Sequence, residues 1–219
     1  MGKHSQRGCI RCGTCCRKGG PVLHHQDKEI IRAGHAGYQH LITIRRGEMA
    51  FDPLSNGLRP AAQELVKVRG RGKEWCCAFF DAARSACTIY PHRFRECRLL
   101  KCWDPADLLA VVGKETLVRA DLINPGDPIL EMIALHEREC SCEEVERLIA
   151  ALSTPHHRDK ALARLTTLVR RDLALRLYAE RELGLCPDYE LFVFGRPLFN
   201  YLEARGVSLP LVAPRVRGE

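Results

Sequence analysis

The chain has 219 residues, 46% of them hydrophobic and only 6% aromatic, and a formal net charge of +7. That is enough apolar material for one core or two small ones, filled mainly by aliphatic side chains. Apolar runs such as Leu108 to Val112 are far short of the roughly 20 residues a membrane span needs, so no membrane partner is expected.

In chain order, Met1 to Gln6 lead straight into cysteines without the apolar stretch of a secretory signal. Gln6 also stands where a myristoylation signal wants Ser or Thr, so the expected setting is cytoplasmic. Thiols in a reducing compartment are read as metal ligands before they are read as disulfides. Cys9-x2-Cys12-Gly13-x-Cys15-Cys16 is expected on a loop, with Gly13 supplying a positive φ and Pro21 closing a turn. Asp27 opens a short helix through Ala33, which Gly34 stops. Leu41–Ile44 reads as a strand. Leu65–Val68 and Trp75–Phe80 read as a hairpin around Arg69-Gly-Arg-Gly72, and Ala86–Tyr90 as another strand ended by Pro91. Cys76 and Cys87 therefore belong on small strands.

The second half carries helix signals. Asp104-Pro105 and Asp127-Pro128 pair a cap with proline at the helix start. Ser141-x2-Glu144 is a capping box, and Val145, Leu148, Ile149 and Leu152 follow on one face. Thr154-Pro155 opens the longest helix, with an expected stripe of Leu162, Leu165, Val169, Leu173 and Leu177, closed by Gly184. The apolar stretch Leu191–Phe194 is expected to dock on these helices, and residues 210–219 to fray. The fold class is therefore mainly α with a few short β-strands. An irregular Cys-rich metal-binding domain over 1–104 precedes a helical region over 105–219.

Seven of the twelve cysteines form one spaced set: Cys9, Cys12, Cys15, Cys16, Cys76, Cys87 and Cys97. Two-residue spacing lets a curled backbone aim its sulfurs at one centre, at about 2.3 Å from a zinc ion. The first three share the spacing of three corners of a ferredoxin-type cubane, but the following Cys-Pro is missing. The spacing is not that of radical-SAM enzymes. Adjacent Cys15 and Cys16 are expected to diverge, which disfavours one simple zinc site and favours an iron–sulfur cluster or two centres.

Cys9-x2-Cys12-Gly-x-Cys15-Cys16, Trp75-Cys76 with Phe79, and Cys87-x-Ile89-Tyr90-x2-Arg93-x3-Cys97-Arg98 together resemble the CxxCxxCC (YkgJ-type) cysteine-cluster family. The resemblance covers roughly residues 9–104. It departs at Phe94, where the family's Arg-Pro is Arg93-Phe94. The resemblance implies a zinc- or iron-chelating domain with those seven cysteines as metal ligands. The cofactor is then zinc or iron, the iron also as an iron–sulfur cluster, in a structural, redox or sensory role.

His24, His25 and His92 follow ligand segments and are candidate nitrogen ligands. Arg93, Arg95 and Arg98 read as a solvated face or as charge compensation for thiolates. Cys77, Cys102 and Cys186 read as structural. Cys140 and Cys142 sit at a helix start that could make them reactive, though packing explains them equally simply.

No phosphate loop, serine elbow or zinc-protease helix is present, so no catalytic residue is named and enzymatic activity stays open. Flagellin lysine-N-methylases carry a similar cluster, so the resemblance also admits a cluster-dependent methyltransferase. A zinc-stapled module binding nucleic acid or protein is the third reading. Basic residues are scattered among acids without aromatic interleaving, which gives nucleic acid little to hold.

Overall fold

The computed structural model describes residues 9–72 and 74–209. It is mainly helical, with four antiparallel two-stranded sheets in the cysteine-rich half and the long helices in the C-terminal half. The expected fraying of 210–219 and the reading of Met1 to Gln6 lie outside the described residues. Among those described, no helix is long and apolar enough to cross a membrane.

Short helices α1 (Thr14–Arg17) and α2 (Lys28–Arg32) precede the strands. Strand β1 (Leu41–Ile44) is followed by a hairpin of β2 (Met49–Asp52) and β3 (Gly57–Pro60), then by β4 (Leu65–Val68). β4 does not pair with 75–80, as the hairpin reading had it. It pairs with β1, in the register Ile42↔Lys67 and Ile44↔Leu65. The expected hairpin shrinks to β5 (Gly70–Arg71) and β6 (Cys76–Cys77), because Gly72 and Trp75 adopt positive φ of 68° and 52°. Sheet hydrogen bonding rewards the longer partner, and no local turn signal reveals a partner more than twenty residues away.

β7 (Phe80–Asp81) pairs with β8 (Ala86–Cys87) around a turn in which Asp81 accepts hydrogen bonds from the Ala83 and Arg84 N–H groups. The strand expected over 86–90 ends at Cys87, and Tyr90–His92 form a 3-10 turn instead. Asp27 does not cap α2 with its side chain. It accepts from the N–H groups of His24 and Arg95, tying two segments together.

Then follow α3 (Arg95–Leu99), α4 (Ala106–Leu109), α5 (Ile129–Glu139), α6 (Cys142–Ala151), α7 (Pro155–Glu182), α8 (Glu190–Phe194) and α9 (Leu198–Ala204). Ser141 accepts from the Glu144 N–H, but the other half of the box is absent because the Glu144 carboxylate pairs with Arg164 at 2.8 Å. The α7 stripe holds at Leu165 and Val169, which are buried, but fails beyond them: Leu173 and Leu177 are each 44% exposed, while Leu168, Leu175 and Ala179 are buried. The buried face also carries Asp172 and Arg176, which no apolar pattern reveals.

Leu191–Phe194 docks on β1 as well as on helices. The Thr43 hydroxyl donates to the Phe192 carbonyl at 2.5 Å, and α8 packs on β1 and α5. One apolar core runs from Leu23 and Val66 through Phe94 to Phe192 and Leu202.

Inside this core lies a fully buried pair, His136 Nε2 and Asp172 Oδ1 at 2.6 Å, with Arg176 Nε 3.0 Å from the same oxygen. His136 Nδ1 has no partner, so a proton there would be a buried, unanswered donor. Burial, Arg45 and Arg176 hold the imidazole neutral and push its pKa down to about 4, against the pull of Asp172. The unfolded chain takes up that proton near pH 6.5, so this stabilisation is full above 6.5 and declines as pH falls toward 4. His24 is shifted upward by Glu96 and acts in the opposite sense, so the contribution must be read as a difference. Between pH 7 and pH 5, the stability advantage of the wild type over His136→Leu should shrink by about 2 kcal/mol in urea denaturation. A pH-independent difference would disprove it.

Candidate metal centre

The chain curls where the sequence demands it. Gly13 takes φ 73°, and a Cβ there would stand 2.4 Å from the Phe80 ring, so both backbone and space require glycine. Beyond it the chain does not remain a loop but winds into α1, closed by the Arg17 N–H to the Gly13 carbonyl at 2.9 Å. Cys15 and Cys16 therefore ride on one helical turn, while Cys9 and Cys12 precede it. The Arg11 N–H points at Cys9 Sγ at 3.4 Å, the N–H···S contact expected of two-residue spacing.

A cavity of about 140 Å³ opens against this turn, lined by eight thiols: Cys9, Cys12, Cys15, Cys16, Cys77, Cys87, Cys97 and Cys102. Six of the seven sequence-selected cysteines meet there. Cys76 does not line it; Cys77 does, and Cys102 joins from beyond α3. Side chains alternate faces along a strand, so the neighbours on β6 cannot both turn inward. Nothing in the sequence gives this parity: a two-residue strand has no periodicity, and the following Phe79 and Phe80 are buried alike, each 5% exposed.

The adjacent pair behaves differently from expectation. Cys15 and Cys16 Sγ are 4.0 Å apart rather than divergent, because one helical step still leaves both on the cavity side. Tetrahedral coordination with 2.3 Å bonds separates sulfurs by about 3.8 Å, so this pair can share one ion. Among the described residues no three donors already stand together at ligand distance. The donor set nonetheless fits a thiophilic metal, since every Cys, His, Asp or Glu side chain that lines the cavity is a cysteine.

Electrostatics divide the thiols into two groups. The contact between the Cys15 and Cys16 thiols, with Arg93 nearby, lowers the Cys15 pKa to about 6 and raises that of Cys16. Cys12 is lowered by its hydrogen bonds with Thr14. Burial raises Cys77, Cys87 and Cys97, and neighbouring thiols raise Cys97 further.

Of the arginine trio, only Arg93 reaches the cavity. Its guanidinium lies 3.8 Å from the centroid of Tyr90, on the ring that Arg11 also covers at 4.1 Å. Arg95 pairs with Glu115, and Arg98 lies 4.0 Å from Asp27. Arg11 and Arg17, which composition alone did not single out, are the other two cations at the knot; Arg17 donates to the Cys12 carbonyl at 3.1 Å.

The histidines stay out of the centre. His24 is buried between the Lys114 carbonyl and Glu96, and His92 stacks on His35 with centroids 3.5 Å apart. His25 is exposed and does not line the cavity. Cys140 and Cys142 are buried and pushed up to about 12 by that burial, which makes them packing residues rather than reactive thiols.

The family described as "Putative zinc- or iron-chelating domain", with the motif CxxCxxCC, matches residues 8–120, just over half of the chain. The chain belongs to the CxxCxxCC family. No curated protein and no solved structure matches it. Phe94, the departure from the CxxCxxCC pattern, has φ −59°, an angle a proline would also take, and its ring is 2% exposed in the core beside Phe79.

Proposed function

We propose that the chain holds zinc or iron through its cavity thiols, over the domain 1–104, with the helical region 105–219 as its buttress. The observation that supports this best is the convergence of eight thiols, with Arg11 and Arg93, in one 140 Å³ cavity, beside which Arg17 lies over the Phe80 ring. Eight donors make two complete sets of four, which removes the mismatch of seven thiols with a single ion. Four-thiolate sites are coordinatively closed and hold folds together or carry electrons rather than activating water.

The residues have distinct parts in this reading. Cys12 and Cys15 offer thiolate readily. Cys77, Cys87 and Cys97 hold their protons more tightly, so metal binding there releases protons and strengthens as pH rises. The arginines offset the remaining negative charge. When bound, the metal supplies cross-linking of α1, β6, β8 and α3, or one-electron chemistry if it is a cluster. Free thiols at all twelve cysteines accord with a cytoplasmic, reducing setting.

Elemental analysis and an absorption spectrum of anaerobically purified protein test it. The expected result is stoichiometric zinc in a colourless protein, or iron with sulfide and broad visible absorbance. Protein carrying neither at one or more equivalents would overturn the proposal.

A further inference from the structure

A second and larger cavity, about 440 Å³, lies on the face of the β1–β4 sheet turned away from the core. The register places Leu41, Thr43, Val66 and Val68 on the core side, so Ile42, Ile44, Leu65 and Lys67 share the other. The β2–β3 hairpin forms the opposite wall with Phe51 and Leu58, each 61% exposed. Its size is that of a small-molecule site, roughly 300–1,000 Å³.

Its charge is one-sided. Lys18, Lys67 and Arg196 line the cavity, and no acid does. Arg196 is already neutralised by Glu48 at 2.5 Å. Among the described residues, no carboxylate stands within ion-pairing distance of Lys67 or Lys18. Glu96 is the one acid whose field reaches Lys67, and its oxygens are engaged by the Val22 N–H and by His24. The Lys67 ammonium stands beside Gly19, where an added Cβ would lie 3.9 Å from Nζ. An inward lysine in an aliphatic wall loses hydration without gaining a partner. A ligand with an apolar chain and one carboxylate supplies both missing halves.

We propose that this groove binds a single-chain aliphatic carboxylate, with its chain between Ile42, Ile44, Phe51 and Leu58 and its head group on Lys67 and Lys18. The site shares no lining residue with the thiol cavity, and its test reads carboxylate binding rather than metal content. Titration calorimetry of the full-length, as-purified protein with decanoate should show one saturable site. Hexanoate should bind far more weakly, at roughly three- to fourfold per methylene lost. Decanol, with the chain but no charge, should bind at least tenfold more weakly than decanoate. Lys67→Met should weaken decanoate severalfold, toward the decanol level, while leaving decanol unchanged. Phe51→Asp, at an exposed position on which folding does not rest, should abolish decanoate binding. Equal decanoate affinity in wild type and Lys67→Met, undiminished binding by Phe51→Asp, or no saturation at one per chain would each overturn the proposal.

Discussion

Cys77→Ala should strip metal from the centre, with affinity falling at least a hundredfold, whereas Cys76→Ala should leave metal content unchanged. Loss of a group that merely orients a ligand costs 10- to 100-fold, so loss of a ligand itself costs more. The two thiols are neighbours on β6, paired across to Gly70 and Arg71, and strand alternation sends them to opposite faces. Cys77 is 7% exposed, lines the thiol cavity and lies in the field of Cys87. Cys76 packs against the core edge outside that cavity. Metal retained after dialysis against a competing chelator is the readout, with far-UV circular dichroism confirming that each variant is folded. Retention by Cys77→Ala with loss by Cys76→Ala would restore the ligand set read from the motif and refute the cavity assignment.

That pair shows where sequence reading reaches its limit. The N-terminal knot was legible because Cys9, Cys12, Cys15 and Cys16 sit within eight residues, and Gly13 carries a local backbone requirement that only glycine meets freely. Helix starts at Asp127-Pro128, Ser141 and Thr154-Pro155, and the stop at Gly184 with φ 64°, were legible for the same reason. Caps are local chemistry. The choice between Cys76 and Cys77 is a matter of strand parity, and a two-residue strand offers no periodicity from which to read it. The partner of β4 was hidden because Leu41–Ile44 lies across an intervening hairpin. On α7, a hydrophobic template puts Leu173 and Leu177 inward. The structure instead buries Asp172 and Arg176, because His136, Glu190 and each other satisfy them. A paired buried charge looks like a surface residue to any rule based on composition.

The same blindness applies to the ionic centre that joins the two halves of the chain, and there the energetic consequence is large. Glu137 receives Arg45 Nε at 2.9 and 3.0 Å and Arg119 Nη2 at 2.7 Å. Arg45 is 1% exposed and Arg119 2%, so neither guanidinium can turn to water when its partner goes. Arg119 would keep Glu64 at 2.6 Å, but Arg45 would keep only the Cys140 carbonyl at 2.7 Å and no carboxylate. Arg45 Nη1 and Arg119 Nε already lack partners. Removing one member of a fully buried pair costs about 3–5 kcal/mol, because the charge left behind is uncompensated, and the 31% exposure of the Glu137 side chain puts the loss here at the lower end of that range. Whole-domain stability is of the order of 5–15 kcal/mol, so Glu137→Ala should lower the urea midpoint sharply or leave the chain largely unfolded at 37 °C. Glu137→Gln, which keeps an acceptor without the charge, should lie between it and the wild type. Arg45→Met combined with Glu137→Ala should recover part of the loss, since no lone buried charge at position 45 remains. If Glu137→Ala stays within about 1 kcal/mol of wild type, the range of an exposed pair, the network is ornamental and the two halves are joined by apolar packing alone.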